Sequence, residues 1–403
     1  MVTRLAEGAL IGEELLGLSL MVLVGKILGD LVERAGYSRL IGEIMGGALL
    51  GPYALGGLIN TAIGAKIFYL GTEVVFLSQL SVVLLVYASG LEHGVAPLRR
   101  AGAWGALGAT FGALLPFLAS IGLYRLGLMG FLQAAFVGAA IAPTSLAVVS
   151  GLLSYGVNQG VIDFLYSASA IDDVVSLVIL TVALGLAQLR TSPSALTIVR
   201  VVAFYAVGWV VIYLVSIRLI PLMTRLLGSR YVVEYSLVVL FGLIAVMQAL
   251  GFSPIVAAFI AGVSLAESGG SEVLRELAKD LLLIFGSMFF VVVGAEVNFA
   301  AVGLDGLLIA LIILGVALAA KALGVMPFAY GYLRDLKSTI AASAGMEPRG
   351  EVGLAVAAVG LSVGVLSDSA YGSLVLAIVL STVIGMIAFT SSCRRPSPSA
   401  PAA

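Results

Sequence analysis

A single cysteine, Cys393, and a single histidine, His93, are all that 403 residues provide of the two side-chain types most used for metal and redox chemistry. That scarcity sets aside disulfides, thiolate metal sites and His-based metal or triad chemistry, and both residues read as incidental. Charge is scarce too: Asp, Glu, Lys and Arg make up 11% of the chain, and 21 bases against 22 acids leave no basic excess with which to bind nucleic acid. No G-x-x-x-x-G-K-[ST] loop is present, so a primary pump would need a partner to carry its ATP site. No cofactor is expected. A small-residue cleavage pattern is also missing after the first apolar segment, which carries Glu13 and Glu14. That segment reads as a retained span and not as a signal peptide.

What remains is apolar. The chain is 61% hydrophobic with a mean hydropathy of +1.16, far from the soluble range. The apolar runs are continuous and lack the alternation of a barrel strand, which leaves helices as the spanning element. At roughly 20 residues per span, about thirteen spans fit: 9–29, 38–59, 73–91, 101–124, 130–155, 161–189, 194–222, 231–250, 253–268, 273–297, 302–333, 338–366 and 370–393. The expected fold class is an all-α polytopic membrane protein surrounded by a lipid bilayer. On this count one side collects Lys26, Arg34, Arg39, Arg99, Arg100, Arg218, Arg225, Arg230, Arg275, Lys279, Arg334, Lys337, Arg394 and Arg395. The other side has only Arg4, Lys66, Arg125 and Arg190. The positive-inside rule then puts the N-terminus outside and the C-terminus in the cytoplasm, in the cell inner (plasma) membrane. Residues 394–403, which finish in PSPSAPAA, read as a disordered cytoplasmic tail.

Four places break the apolar pattern at membrane depth, where polar and ionisable groups are functional by default. In span five, Ile141-Ala142-Pro143-Thr144-Ser145 combines a helix-breaking proline with two hydroxyls. Span six carries Asp172-Asp173 inside SASAIDDVVSLVIL, span eleven carries Lys321, and span twelve carries Gly345-Met346-Glu347-Pro348-Arg349-Gly350-Glu351. A broken span precedes the acids and a second broken span follows the lysine. Matching interruptions in the two halves point to an inverted-repeat transporter with its site near the midplane.

Successive helical residues diverge by about 100°, so Asp172 and Asp173 face neighbouring surfaces and one of them can meet a partner helix while the other faces a cavity. Two carboxylates buried together in a low dielectric cannot both stay charged without help, which couples their titration. Deprotonated, a carboxylate is a hard oxygen ligand for a small cation, and Thr144 and Ser145 can add hydroxyl oxygens. Competition between one proton and one cation at such a site is the least chemistry that exchanges the two. Lys321 needs a counter-charge, and an aspartate of the pair is the candidate; that pair is expected to form when the ion site is empty and to loosen when a cation arrives.

Eight stretches, LIGEIMGGALLGP (40–52), LLVYASGLE (84–92), IAPTSLAVVSGLL (141–153), SASAIDDVVSLVIL, SPIVAAFIAGVSLAE (253–267), MFFVVVGAEVNF (288–299), AKALG (320–324) and GMEPRGEVGLAVAAVGL (345–361), together resemble the monovalent cation:proton antiporter-2 family. Within it the chain is most similar to bacterial and archaeal sodium/proton antiporters of the NapA type. The resemblance implies two crossed, discontinuous helices and transported Na+ and H+. It implies a core domain at about 73–190 and 273–393 that moves like an elevator against a dimerisation domain at about 9–60 and 194–268 of a homodimer. It also implies that Asp173 is the principal cation and proton ligand, that Asp172 pairs with Lys321, and that exchange is electrogenic. Pro143, Glu347, Pro348, Arg349 and Glu351 would support the broken helices and their ion pairs. Pro143 departs from the small residue of the nearest members, which implies a stiffer break and displaced ion ligands. Glu296 and Asn298 form a polar pair with no role assigned by the resemblance. No soluble regulatory domain is recognised, which favours a constitutive or pH-gated exchanger.

Three other readings use the same residues. A potassium/proton antiporter shares the site, because carboxylate and hydroxyl oxygens do not choose between alkali cations. A sodium-coupled symporter for an organic solute uses crossed broken helices but has no need of buried Asp173 and Lys321. An intramembrane aspartyl protease needs its two acids on separate helices.

Overall fold

Apolar runs in a low-dielectric surrounding satisfy their backbone N–H and C=O groups only within themselves, and this chain meets that demand with helices. The computed structural model describes residues 2–93, 102–145, 148, 157–188, 195–227, 231–268 and 271–393. In chain order the helices are α1 (Val2–Arg34), α2 (Arg39–Leu50), α3 (Leu55–Ile63), α4 (Thr72–His93), α5 (Gly102–Arg125), α6 (Phe131–Ile141), α7 (Gln159–Ala187) and α8 (Ala195–Leu227). They continue with α9 (Val232–Ala249), α10 (Pro254–Ala266), α11 (Ser271–Ala295), α12 (Phe299–Leu333), α13 (Leu336–Gly345), α14 (Glu351–Ser362) and α15 (Asp368–Cys393). No strand occurs among the described residues.

Among the described residues, 9 helices are long and apolar enough to cross a membrane by themselves. The other four expected spans are accounted for differently. Span 38–59 is not one helix: Gly51-Pro52 ends α2, because proline supplies no donor to continue the ladder, and α3 restarts at Leu55. Spans 130–155 and 338–366 are interrupted, as their Pro-bearing segments predict, and span 253–268 is the shorter apolar helix α10. Most of the second half of span 130–155, the tail 394–403, and Arg99, Arg100, Arg190, Arg230, Arg394 and Arg395 lie outside the described residues.

Helix packing falls into two groups. The first joins α1 to α2, α2 to α11, and α4 to both α10 and α11; the second joins α12 to α5 and α15, and α5 to α6 and α7. The helix α8 touches both groups through α7 and α10. Large apolar side chains such as Leu23, Ile27, Phe204 and Val207 point outward along α1 and α8, as contact with lipid tails requires. Within the first group Glu43 of α2 is buried, and is met by Ser287 Oγ at 2.5 Å and by Lys26 Nζ at 3.4 Å.

The contact of α2 with α11 depends on missing side chains. A Cβ at Gly47 would overlap the backbone carbonyl of Val291, and one at Gly294 would overlap that of Ile44. Small residues allow such backbone approach between membrane helices. Gly47→Val is therefore expected to force α2 away from α11 and to destabilise the fold by about 1–3 kcal/mol. The fraction remaining monodisperse after heating in detergent checks this; an unchanged melting curve would contradict the packing described.

Candidate functional site

The helix α6 stops at Ile141 because Pro143, two residues on, has no N–H to donate to the ladder, although Ala142 between them keeps helical backbone angles. Residues 142–145 leave the helix, and residues 347–350 do the same between α13 and α14. The two breaks hold each other. Ser145 N–H donates to Pro348 O at 2.8 Å, Thr144 Oγ1 donates to Met346 O at 2.9 Å, and Ser145 Oγ donates to Glu351 Oε2 at 3.0 Å.

A helix that stops inside a membrane leaves carbonyls without partners and a partial negative charge at its C-terminal end. Two buried cations answer both needs at α6. Arg349 Nε donates to Ile141 O at 2.7 Å, and Lys321 Nζ donates to Ala142 O at 2.6 Å. The rest of the Arg349 fork is also engaged: Nη1 reaches Glu347 O at 2.7 Å, Ser381 Oγ at 3.2 Å and Glu347 Oε2 at 3.4 Å, and Nη2 reaches Ala317 O at 3.1 Å. Arg349 N–H donates to Thr382 Oγ1 at 3.1 Å. Its guanidinium thus ties α6, α12, α15 and the break before α14 into one knot.

Asp172 and Asp173 sit near the middle of α7 and are both buried. Lys321 Nζ donates to Asp172 Oδ2 at 2.7 Å, with both side chains fully out of solvent. Asp173 points elsewhere, as the helical turn demands, and the charged groups acting on it are Glu351, Asp172 and Lys321. Thr144 is close enough to Asp172 to act on it as well. All ten residues singled out in the sequence, Pro143, Thr144, Ser145, Asp172, Asp173, Lys321, Glu347, Pro348, Arg349 and Glu351, are therefore in this one assembly.

Its charge pattern is uneven. Asp172 has Lys321 and Glu347 has Arg349, whereas Asp173 and Glu351 act on each other as like charges. A proton or a small monovalent cation between Asp173 and Glu351 relieves that repulsion, and the oxygens of Thr144 and Ser145 lie on the same break.

Four side chains of this neighbourhood escaped the sequence reading. Ser169 and Ser176 lie four residues before and three after Asp173, on its helix face, and both hydroxyls are buried without a hydrogen-bond partner among the described residues. That spacing was visible in SASAIDDVVS. Ser381 and Thr382 lie in the apolar run of α15, and nothing in their surroundings marks them. Asn298 also gains a role: its side chain caps α12 by accepting from Ala301 N–H at 3.2 Å.

Several known proteins match the chain over most of their own length. The chain is 28% identical to the high-affinity Na+/H+ antiporter NhaS3 of Synechocystis, over 92% of this chain and 87% of that protein. It is 29% identical to the Na+/H+-K+ antiporter GerN of Bacillus cereus, over 91% and 93%. Its fold matches the sodium proton antiporter MjNhaP1 of Methanocaldococcus jannaschii with a TM-score of 0.71 at 19% identity, covering 97% of each chain. The family model described as sodium/hydrogen exchanger, transmembrane, spans residues 19–391, and with its crossed helix breaks and buried acids this multi-pass membrane protein belongs to that family of secondary transporters.

Proposed function

We propose that this protein is a secondary active antiporter that exchanges Na+, or Li+, for protons, with Asp173 as the group that trades one for the other. The observation that carries the reading is the opposition of Asp173 and Glu351 beside a neutralised Asp172–Lys321 pair. A site whose local charge is balanced by one added positive charge accepts a proton or an alkali cation, but not both at full strength. The names of the Synechocystis and Bacillus relatives, a Na+/H+ and a Na+/H+-K+ antiporter, support sodium and proton as the exchanged pair.

The packing supports a division into a moving and a fixed part. The proposed mobile unit is α5–α7 with α12–α15, and the scaffold is α1–α4 with α8–α11, through which two copies form a homodimer. This division keeps 73–91 and 273–297 in the scaffold, where the sequence expectation had them in the core, because α4 packs chiefly on α10 and α11 and α11 on α2. An elevator movement of the mobile unit exposes Asp173 to one side and then the other. In the proposed orientation the ends bearing Arg34, Arg39, Arg275, Arg334 and Lys337 face the cytoplasm of a plasma membrane.

The test is flux in proteoliposomes with a trapped pH dye, adding Na+, Li+ or K+ in turn. Na+ and Li+ are expected to move protons; a response to K+ alone would replace sodium by potassium as the cargo, and no response to any cation would reject antiport. Exchange is further proposed to be electrogenic, with the Lys321 ammonium giving a proton to water on the open side as its pair with Asp172 loosens and taking one back when the pair re-forms. Lys321→Gln is then expected to lower the charge moved per Na+, read as current on a supported membrane, and to destabilise the fold, since it leaves a buried carboxylate without its cation at a cost of about 3–5 kcal/mol. Unchanged current and unchanged stability would remove Lys321 from the mechanism.

A further inference from the structure

Glu296, a half-buried acid to which neither the exchange centre nor the family resemblance gives a role, stands on the wall of a cavity of about 420 Å³ between the two helix groups. Helix α4, the start of α10 and Phe289 of α11 form one side of that cavity, and the last two turns of α14 and the end of α7 form the other. Glu296 is the only ionisable group among its described lining residues, and Gln79, Gln188 and Ser362 supply further oxygens. The α14 wall starts at Ala355, four residues or about 6 Å of helix beyond Glu351, the acid that acts on Asp173. The cavity therefore approaches the exchange centre along α14.

Three features suit its mouth to a cation. The C-terminal ends of α7, α11 and α14 converge on it, contributed by Gln188, Glu296 and Val363, and their three partial negative charges outweigh the one partial positive charge of the α10 N-terminus at Ser253–Ile255. Tyr371, itself fully buried, donates its hydroxyl to Glu296 Oε2 at 2.8 Å and fixes the carboxylate in place, while Oε1 takes no hydrogen bond from the described residues. No Lys or Arg among the described residues forms an ion pair with Glu296, and the charge acting on the neighbouring phenol of Tyr53 is negative, from Asp368 and Glu296.

We propose that Glu296 is a transient alkali-cation site at the entrance of this cavity, which draws the cation in and holds it one step ahead of Asp173, with Tyr371 positioning the carboxylate. The inference rests on the antiport reading and adds to it a sidedness: Glu296 serves only the face on which the cavity opens, the outer one in the proposed orientation.

The test measures Na+-driven proton exchange in right-side-out and inside-out membrane vesicles. Glu296→Gln is expected to raise the KM for Na+ about tenfold at the cavity face, the scale of electrostatic focusing by a charged cleft. It leaves kcat and the opposite-face KM unchanged, and Glu296→Asp restores most of the affinity. Should Glu296→Gln accumulate poorly, Tyr371→Phe removes only the hydroxyl and is expected to give a smaller rise with the same sidedness. An equal rise at both faces, no rise, or a fall in kcat alone overturns the proposal while leaving antiport standing. Wild-type vesicles that exchange no Na+ for protons would instead reject antiport itself, and this inference with it.

Discussion

Asp173→Asn is expected to abolish sodium-driven proton exchange in a protein that still folds. The substitution keeps the shape of the side chain and removes its charge, so the site loses both the proton it releases and the anionic oxygen that meets the cation. Leaving a buried cation without its counter-charge costs about 3–5 kcal/mol, which is a loss of at least about a hundredfold in affinity. Folding should survive because Asp173 faces a like charge, Glu351, and substituting the acid relieves their repulsion. Thermal stability of the variant should therefore equal or exceed that of the wild type while exchange vanishes. Exchange at the wild-type rate would remove Asp173 from the mechanism, and a poorly folded variant would contradict the electrostatics described for it.

Arg349→Met is expected to have the opposite signature, a loss of fold before any loss of transport can be read. The guanidinium is the shared donor of Ile141 O, Ala317 O, Glu347 O and the Glu347 carboxylate, with Arg349 fully buried. Removing one partner of a buried pair costs about 3–5 kcal/mol, because the other charge stays behind. Much of that cost here belongs to Glu347, so the double variant Arg349→Met with Glu347→Met should be more stable than Arg349→Met alone. Melting of the purified variants in detergent decides this. Additive losses in the double variant would mean that the backbone carbonyls, and not the ion pair, dominate the knot.

Much of this architecture was legible in the sequence for a physical reason. Burying charge in lipid is so unfavourable that Asp172, Asp173, Lys321, Glu347, Arg349 and Glu351 stand out against an apolar background, and the prolines at 143 and 348 mark where helices stop. What the one-dimensional pattern lacked was partner choice. Arg349 stands two residues from Glu347 in the sequence, yet its shortest bonds include the carbonyl of Ile141, 208 residues away. A break that carries no charge was also harder to place: Gly51-Pro52 divides the second span without any polar residue to announce it. Ser381 and Thr382 were invisible because hydroxyls are tolerated in membrane helices by bonding their own backbone, as Thr181 and Thr224 do, and only the fold shows which of them serve a buried cation.

The claim that a proton and a sodium ion compete for Asp173 is tested most directly by proton release on binding. Na+ is titrated into detergent-solubilised protein in two buffers of different ionisation enthalpy, on the wild type and on Asp173→Asn. The account predicts that wild-type binding expels protons, so that the apparent enthalpy differs between the buffers, and that Asp173→Asn shows neither binding nor release. Sodium binding with equal enthalpy in both buffers, or proton release that persists in Asp173→Asn, would contradict it.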